Sequence, residues 1–169
     1  MKTGAFFSED RKYRYLLTRE WGKEPKLGLI ALNPSTADET KDDPTIRRCI
    51  GFAKSWGYGG LLMGNIFAYR STDPKGLLTI GDPIGPENDG WLDYIKRKSG
   101  LTVAAWGVHG HLMGRGEVVR RNLRRLYVLG LTKEGFPKHP LYLPKTLEPV
   151  RWRPNENPSQ EAASRSRRS

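Results

Sequence analysis

Four segments of the chain are apolar almost without a break: LGLIAL (27–32), GLLMGNIFAY (60–69), LTVAAWG (101–107) and LYVLGL (126–131). Runs this short and this apolar predict strands buried on both faces of a sheet. Between the first two, Ile46, Ile50, Phe52, Ala53 and Trp56 recur at helical spacing. Asp43-Pro44 supplies the N-cap and first residue of that helix, and Gly57 its stop. PENDGWLDYIKRK (86–98) predicts a second helix with Trp91, Tyr94 and Ile95 inward, and Glu117 to Leu126 a third. RYLLTREW (14–21) sets Arg14, Leu16 and Thr18 against Tyr15 and Leu17, and reads as an edge strand. Buried strands alternating with helices predict an α/β fold, a three-layer α/β/α sandwich. Its central sheet is expected to be mostly parallel, with about four strands.

The chain has 169 residues, enough for one domain with a sizeable core. That domain is expected over residues 1–152. RPNENPSQEAASRSRRS, residues 153–169, has no periodicity and is expected to be a disordered basic tail. A mean hydropathy of −0.64 fits a soluble protein. No run approaches the roughly 18 apolar residues of a membrane helix, and MKTGAFFSEDRKYRY lacks the apolar segment of a signal peptide. The single cysteine, Cys49, suits a reducing compartment and is assigned to packing. The expectation is a cytoplasmic monomer with no membrane association.

Charge narrows the partners. The net charge is +11, and residues 151–169, with five arginines against two glutamates, supply only +3 of it. So basic a body points to a polyanion, with DNA the first candidate among nucleic acids.

In sheets of this kind ligands bind beyond the carboxyl ends of the strands. Those ends fall at Asn33-Pro34-Ser35, Asn65-Ile66-Phe67, Trp106-Gly107 and Thr132 to Pro140. An Asn just past a buried strand can offer its amide to a ligand or a water, and Pro34 stiffens the loop. Asp38, Glu39, Asp42 and Asp43 come next, but their spacing matches no calcium loop and Lys41 interrupts them. Asp43 serves better as a helix cap, so no metal is expected. Arg47 and Arg48 lie in a helix's first turn, against the macrodipole preference, which suggests contact with an anion. GVHGHLMGRG (107–116) places its glycines in neither of the two common phosphate-binding spacings, and no cofactor is expected. His109 and His111 read as loop polar residues, whereas His139-Pro140 comes after the last strand and a Gly-Phe-Pro turn.

Taken together, NPSTADETKDDPTIRR, GNIFAYRSTDP, IGPENDGW, AWG and HPLYLP resemble a family of small bacterial and phage proteins that carry a domain of unknown function. NPSTAD and DDPT are its signatures, and the resemblance runs from about Tyr13 to Trp152. More distantly, the order of motifs is similar to that of the uracil-DNA glycosylase superfamily. Its N-P-G-like loop lines up with Asn33-Pro34-Ser35, its W-G with Trp106-Gly107, and its H-P-S-P-like loop with His139-Pro140-Leu141. Ser35 stands where that superfamily has Gly, Leu141-Tyr142 replace small residues, and the acidic loop has no counterpart.

The second resemblance implies a DNA glycosylase that flips out a damaged or modified base and hydrolyses its N-glycosidic bond. It makes Asn33 and His139 the catalytic residues, one orienting a water and the other donating to the departing base. Asn65 would read the base edge and Phe67 or Tyr69 stack on it, while Pro34, Ser35, Trp106, Arg47 and Arg48 complete substrate binding. Two alternatives stand beside it. One is a non-catalytic module of this fold binding a nucleobase, nucleotide or DNA; the other is an enzyme acting on free nucleotides.

Overall fold

Side chains alternate across a strand, so a sheet covered on both faces collects two separate apolar sets. The computed structural model describes residues 1–153. Its strands are β1 (Lys2–Phe7), β2 (Arg14–Glu20), β3 (Lys26–Ala31), β4 (Gly60–Asn65), β5 (Leu101–Ala104), β6 (Tyr127–Val128) and β7 (Val150–Arg151). Its α-helices are α1 (Pro44–Ser55), α2 (Asn88–Lys98) and α3 (Arg115–Leu123). Leu27, Leu29, Leu61, Met63 and Val103 pack with Ile46, Cys49, Phe52 and Ala53 of α1. Ile30, Leu62 and Ala104, pointing the other way, pack with Leu92 and Ile95 of α2 and Val119 of α3. The result is a mixed α/β fold with helices on both faces of the sheet. Cys49 is buried within the α1 layer, where burial pushes its thiol well above the ordinary range.

The seven strands are ordered β1-β2-β4-β3-β5-β6-β7. The four apolar runs form the centre, where β4, β3, β5 and β6 are parallel. β1, β2 and β7 extend it with antiparallel pairings, so the sheet is mixed and wider than the expected four strands. The apolar run 60–69 is strand only as far as Asn65. Ile66 and Phe67 N–H still donate to Ala31 O and Leu32 O (2.9 Å each), and from there the backbone turns to other partners, Ala68 N–H donating to Ile84 O (3.0 Å) and Tyr69 N–H to Pro83 O (3.1 Å).

β2 corrects the edge-strand reading, because it lies between β1 and β4. Arg14 and Arg19 within it are 2% and 0% exposed. Burying a guanidinium requires oxygen partners for its donors. Arg19 finds them in the acidic loop: the Asp42 carboxylate (2.8 Å) and the carbonyls of Asp38 (2.8 Å) and Lys41 (3.2 Å). The other carboxylates fold the same loop. Asp38 Oδ1 accepts from the N–H groups of Thr40 (3.0 Å) and Lys41 (2.7 Å), and Glu39 pairs with Arg11 (2.6 Å). Asp43 caps α1 by accepting from Ile46 N–H (2.9 Å). The unusual concentration of acids is thus a scaffold wound around Arg19.

The glycine-rich stretch after β5 has a packing role. A Cβ at Gly110 would lie 2.1 Å from Cδ1 of Trp106, and one at Gly116 2.7 Å from its Nε1. The backbone closes over the indole because neither residue carries a side chain. Behind Trp106 stands Trp152, with ring centroids 5.5 Å apart in an edge-on arrangement. The expected disordered tail lies, from residue 154 on, outside the described residues. No helix among the described residues is long and apolar enough to cross a membrane.

Candidate functional site

β3 delivers the chain into Leu32-Asn33-Pro34-Ser35, and two hydrogen bonds fix this loop against the segment after β4. Asn33 Nδ2 donates to Ser71 O (2.7 Å), and Ser71 N–H donates back to Pro34 O (3.0 Å). A longer contact from Nδ2 to Pro34 O (3.2 Å) completes the commitment of the NH2 group. The side chain's orientation is set by that network, and the amide oxygen is the group it leaves available.

His139 is set in the opposite sense. Leu141 N–H donates to its Nδ1 (3.2 Å), so the neutral ring carries its proton on Nε2. Burial lowers the imidazole's pKa, with the charge of Asp43 opposing part of that shift. A neutral donor results.

Both residues line a cleft of about 330 Å³ at the carboxyl ends of the parallel strands. That volume lies near the lower end of the roughly 300–1,000 Å³ typical of small-molecule sites. Ser35, Trp106 and Gly107 share its wall with Asp43, Thr45, Ser71, Thr72 and His109. Arg14 also lines it. Its guanidinium donates to Ala37 O (3.0 Å) and Asn65 Oδ1 (3.4 Å), while its Nε–H has no partner among the described residues. Burial pushes its pKa down to about 10, with Asp43 opposing, so it remains cationic at neutral pH. A buried cation held by neutral oxygens thus stands at the base of the cleft, with the Asp43 carboxylate on its wall.

The remaining candidate residues lie elsewhere. Pro34 is buried and contributes its carbonyl to the Asn33–Ser71 tie. Asn65 is 1% exposed and accepts from Arg14 beneath the cleft rather than lining it. Phe67 is fully buried in the core, and Tyr69 packs edge-on against Tyr13 with centroids 5.9 Å apart. Neither is positioned to stack on a base in the cleft, because the chain past Asn65 turns into the α2 layer. Trp106, at 2% exposure, offers little more than an edge. Arg47 and Arg48 line a neighbouring groove of about 660 Å³ with Leu141, Tyr142 and Lys145.

The polar residues behind the site escaped sequence reasoning. Asn88 Nδ2 donates to Asn65 O (2.8 Å) and Ile66 O (3.2 Å). Arg115 Nε donates to Ile66 O (2.8 Å), and its Nη2 pairs with Asp89 (2.6 Å). Together they hold the end of β4 from the α2 and α3 side. Ser71-Thr72 and Asp43 had a signal, since they fall inside distinctive motifs, but Arg14 had none beyond its place beside an apolar run. No three His, Cys, Asp or Glu side chains among the described residues converge as a metal site requires.

Compared with known proteins, residues 14–141 match a family model described as "Protein of unknown function (DUF1643)". No curated protein and no solved structure matches the chain.

Proposed function

The chain belongs to the DUF1643 family, and on that premise we propose that its strand-end cleft hydrolyses an N-glycosidic bond in DNA, releasing a damaged or modified base. One observation carries this reading. An amide oxygen with its NH2 group tied back (Asn33) and a neutral imidazole N–H (His139) line one small cleft, from loops at opposite ends of the sequence. The distant similarity of the motif order to uracil-DNA glycosylases supports it, since the two residues fall in corresponding loops.

In the reaction a water oxygen bonds to the sugar's anomeric carbon as the carbon–nitrogen bond breaks. Asn33 Oδ1 accepts a hydrogen bond from that water and orients it. Asp43 lines the same cleft and is the carboxylate available to take the water's proton. The bonding electrons leave with the base, and His139 Nε2–H donates to the charge that develops there. The base meets the exposed edge of Trp106, since Phe67 and Tyr69 lie outside the cleft. Arg47, Arg48 and Lys145 in the adjoining groove receive the flanking phosphates.

The test is incubation with DNA carrying damaged or modified bases, followed by alkaline cleavage at abasic sites. Asn33→Ala and His139→Ala should each slow release by on the order of a hundredfold or more, with DNA affinity kept. Normal turnover by both variants would refute the mechanism, and firm binding without any substrate would leave a binding module. Arg14 favours a second reading, an enzyme on free nucleotides, because a buried cation without a carboxylate partner suits a small anion. Release from nucleotides but not from oligonucleotides would select it.

A further inference from the structure

The last turn of α3 and the segment that leads from it into β6 carry RRNLRR, residues 120–125. Arg120, Arg121, Arg124, Arg125 and Arg151 line one depression of about 450 Å³, floored by Leu126 and Trp152. Arg120 and Arg121 both pair with Glu117. Arg124, Arg125 and Arg151 have no carboxylate partner among the described residues. β7 brings Arg151 to this place by pairing with Tyr127, and Trp152 N–H donates to Leu126 O (2.9 Å).

Two features mark the cluster as more than a solvated face. Arg124 and Arg125 are consecutive non-glycine residues at positive φ, 54° and 47°. Arg124, with ψ of 164°, lies in a region that is otherwise almost confined to glycine. Such conformations are energetically costly and persist where the surroundings enforce them. Further, the indole N–H of Trp152 in the floor is buried and has no acceptor among the described residues. Gathering like charges around one depression on a strained turn is unfavourable unless an anion supplies what the described residues do not.

We propose that this depression is a second docking site, which holds the phosphodiester backbone of a nucleic acid. Guanidinium forks match phosphate oxygens in pairs, which lysine-based attraction to a lipid surface does not need. The two apolar residues here form a buried floor and offer nothing to insert into a bilayer. Leu126 precedes β6, so the depression lies at the amino end of the parallel strands and the cleft at their carboxyl ends. Nucleic acid held here is therefore held apart from the nucleotide in the cleft. The inference extends the proposed function by naming an anchor, but its test does not need base release.

The experiment measures binding of the full chain to an unmodified DNA duplex as a function of salt. For Arg124→Gln/Arg125→Gln/Arg151→Gln, the slope of log affinity against log salt should fall in magnitude by about three, roughly one per guanidinium removed. Lys96→Gln/Arg97→Gln/Lys98→Gln removes the same charge from the end of α2 and should change the slope far less. The double variant Arg124→Lys/Arg125→Lys keeps the charge and should keep most of the slope, which guards against a folding defect in the glutamine variant. Equal slope changes in the two triple variants would overturn the proposal. So would an unchanged DNA slope accompanied by lost binding to phosphatidylserine vesicles. Failure of base release by wild type, with these slopes as expected, would refute the glycosylase reading alone.

Discussion

Besides the proton-accepting role proposed above, Asp43 carries two roles that a single substitution can separate. One carboxylate oxygen caps α1, and the charge is felt by both Arg14 and His139. Asn is as good a cap as Asp, so Asp43→Asn should leave the thermal midpoint nearly unchanged. It removes the charge that raises the His139 pKa, so the imidazole should titrate lower still, as NMR of its ring protons would report. An unmoved His139 would show that the two residues are not coupled. The pH dependence has a definite sign. Because burial lowers the folded-state pKa beneath the ordinary 6.5, the unfolded chain takes up the proton first. The stability associated with His139 is complete above that ordinary value and is lost as pH falls through the lowered one. Urea unfolding from pH 7.5 toward pH 5 should show a decline that His139→Gln reduces.

Among the elements, the apolar runs identified the parallel centre and the helical spacing identified α1, down to its cap. Hydrophobic pattern fails where burial depends on hydrogen bonding. Arg14 and Arg19 look like surface residues along the chain, yet loop carbonyls brought from 37–41 accept from both, and β2 becomes an interior strand. KTGAFF has too little alternation to announce β1, and β7 is two residues long. Asn33, Trp106 and His139 were legible as residues of the strand-end cleft because odd polar or aromatic groups came directly after apolar runs. Phe67 and Tyr69 carry the same signal but pack in or against the core outside that cleft, since nothing local reveals that the chain turns inward past this strand. The glycines near Trp106 give this scale its test. Gly110→Ala forces a Cβ into the indole and should cost about 1–3 kcal/mol, read as a lower denaturation midpoint. Gly114→Ala meets no atom but sits at a φ of 64°, so its smaller loss would measure backbone strain alone.

Across the whole molecule, the last described residues close the core from the far edge of the sheet. Trp152 is 9% exposed and packs on Trp106, whose other side meets the cleft. Trp152→Ala should cost about 3–5 kcal/mol in chemical denaturation, and a near-neutral result would show that β7 is not part of the cooperative unit. The strand order has a mechanical corollary. β1 and β7 form opposite edges, and their directions bring residue 2 and residue 151 to the same end of the sheet, away from the cleft. A force applied between these points pulls across the strands, loading the edge hydrogen bonds one after another instead of shearing a whole ladder at once. The sheet therefore opens like a zipper, β7 with its two residues yielding first, while a handle on either side leaves the cleft unobstructed.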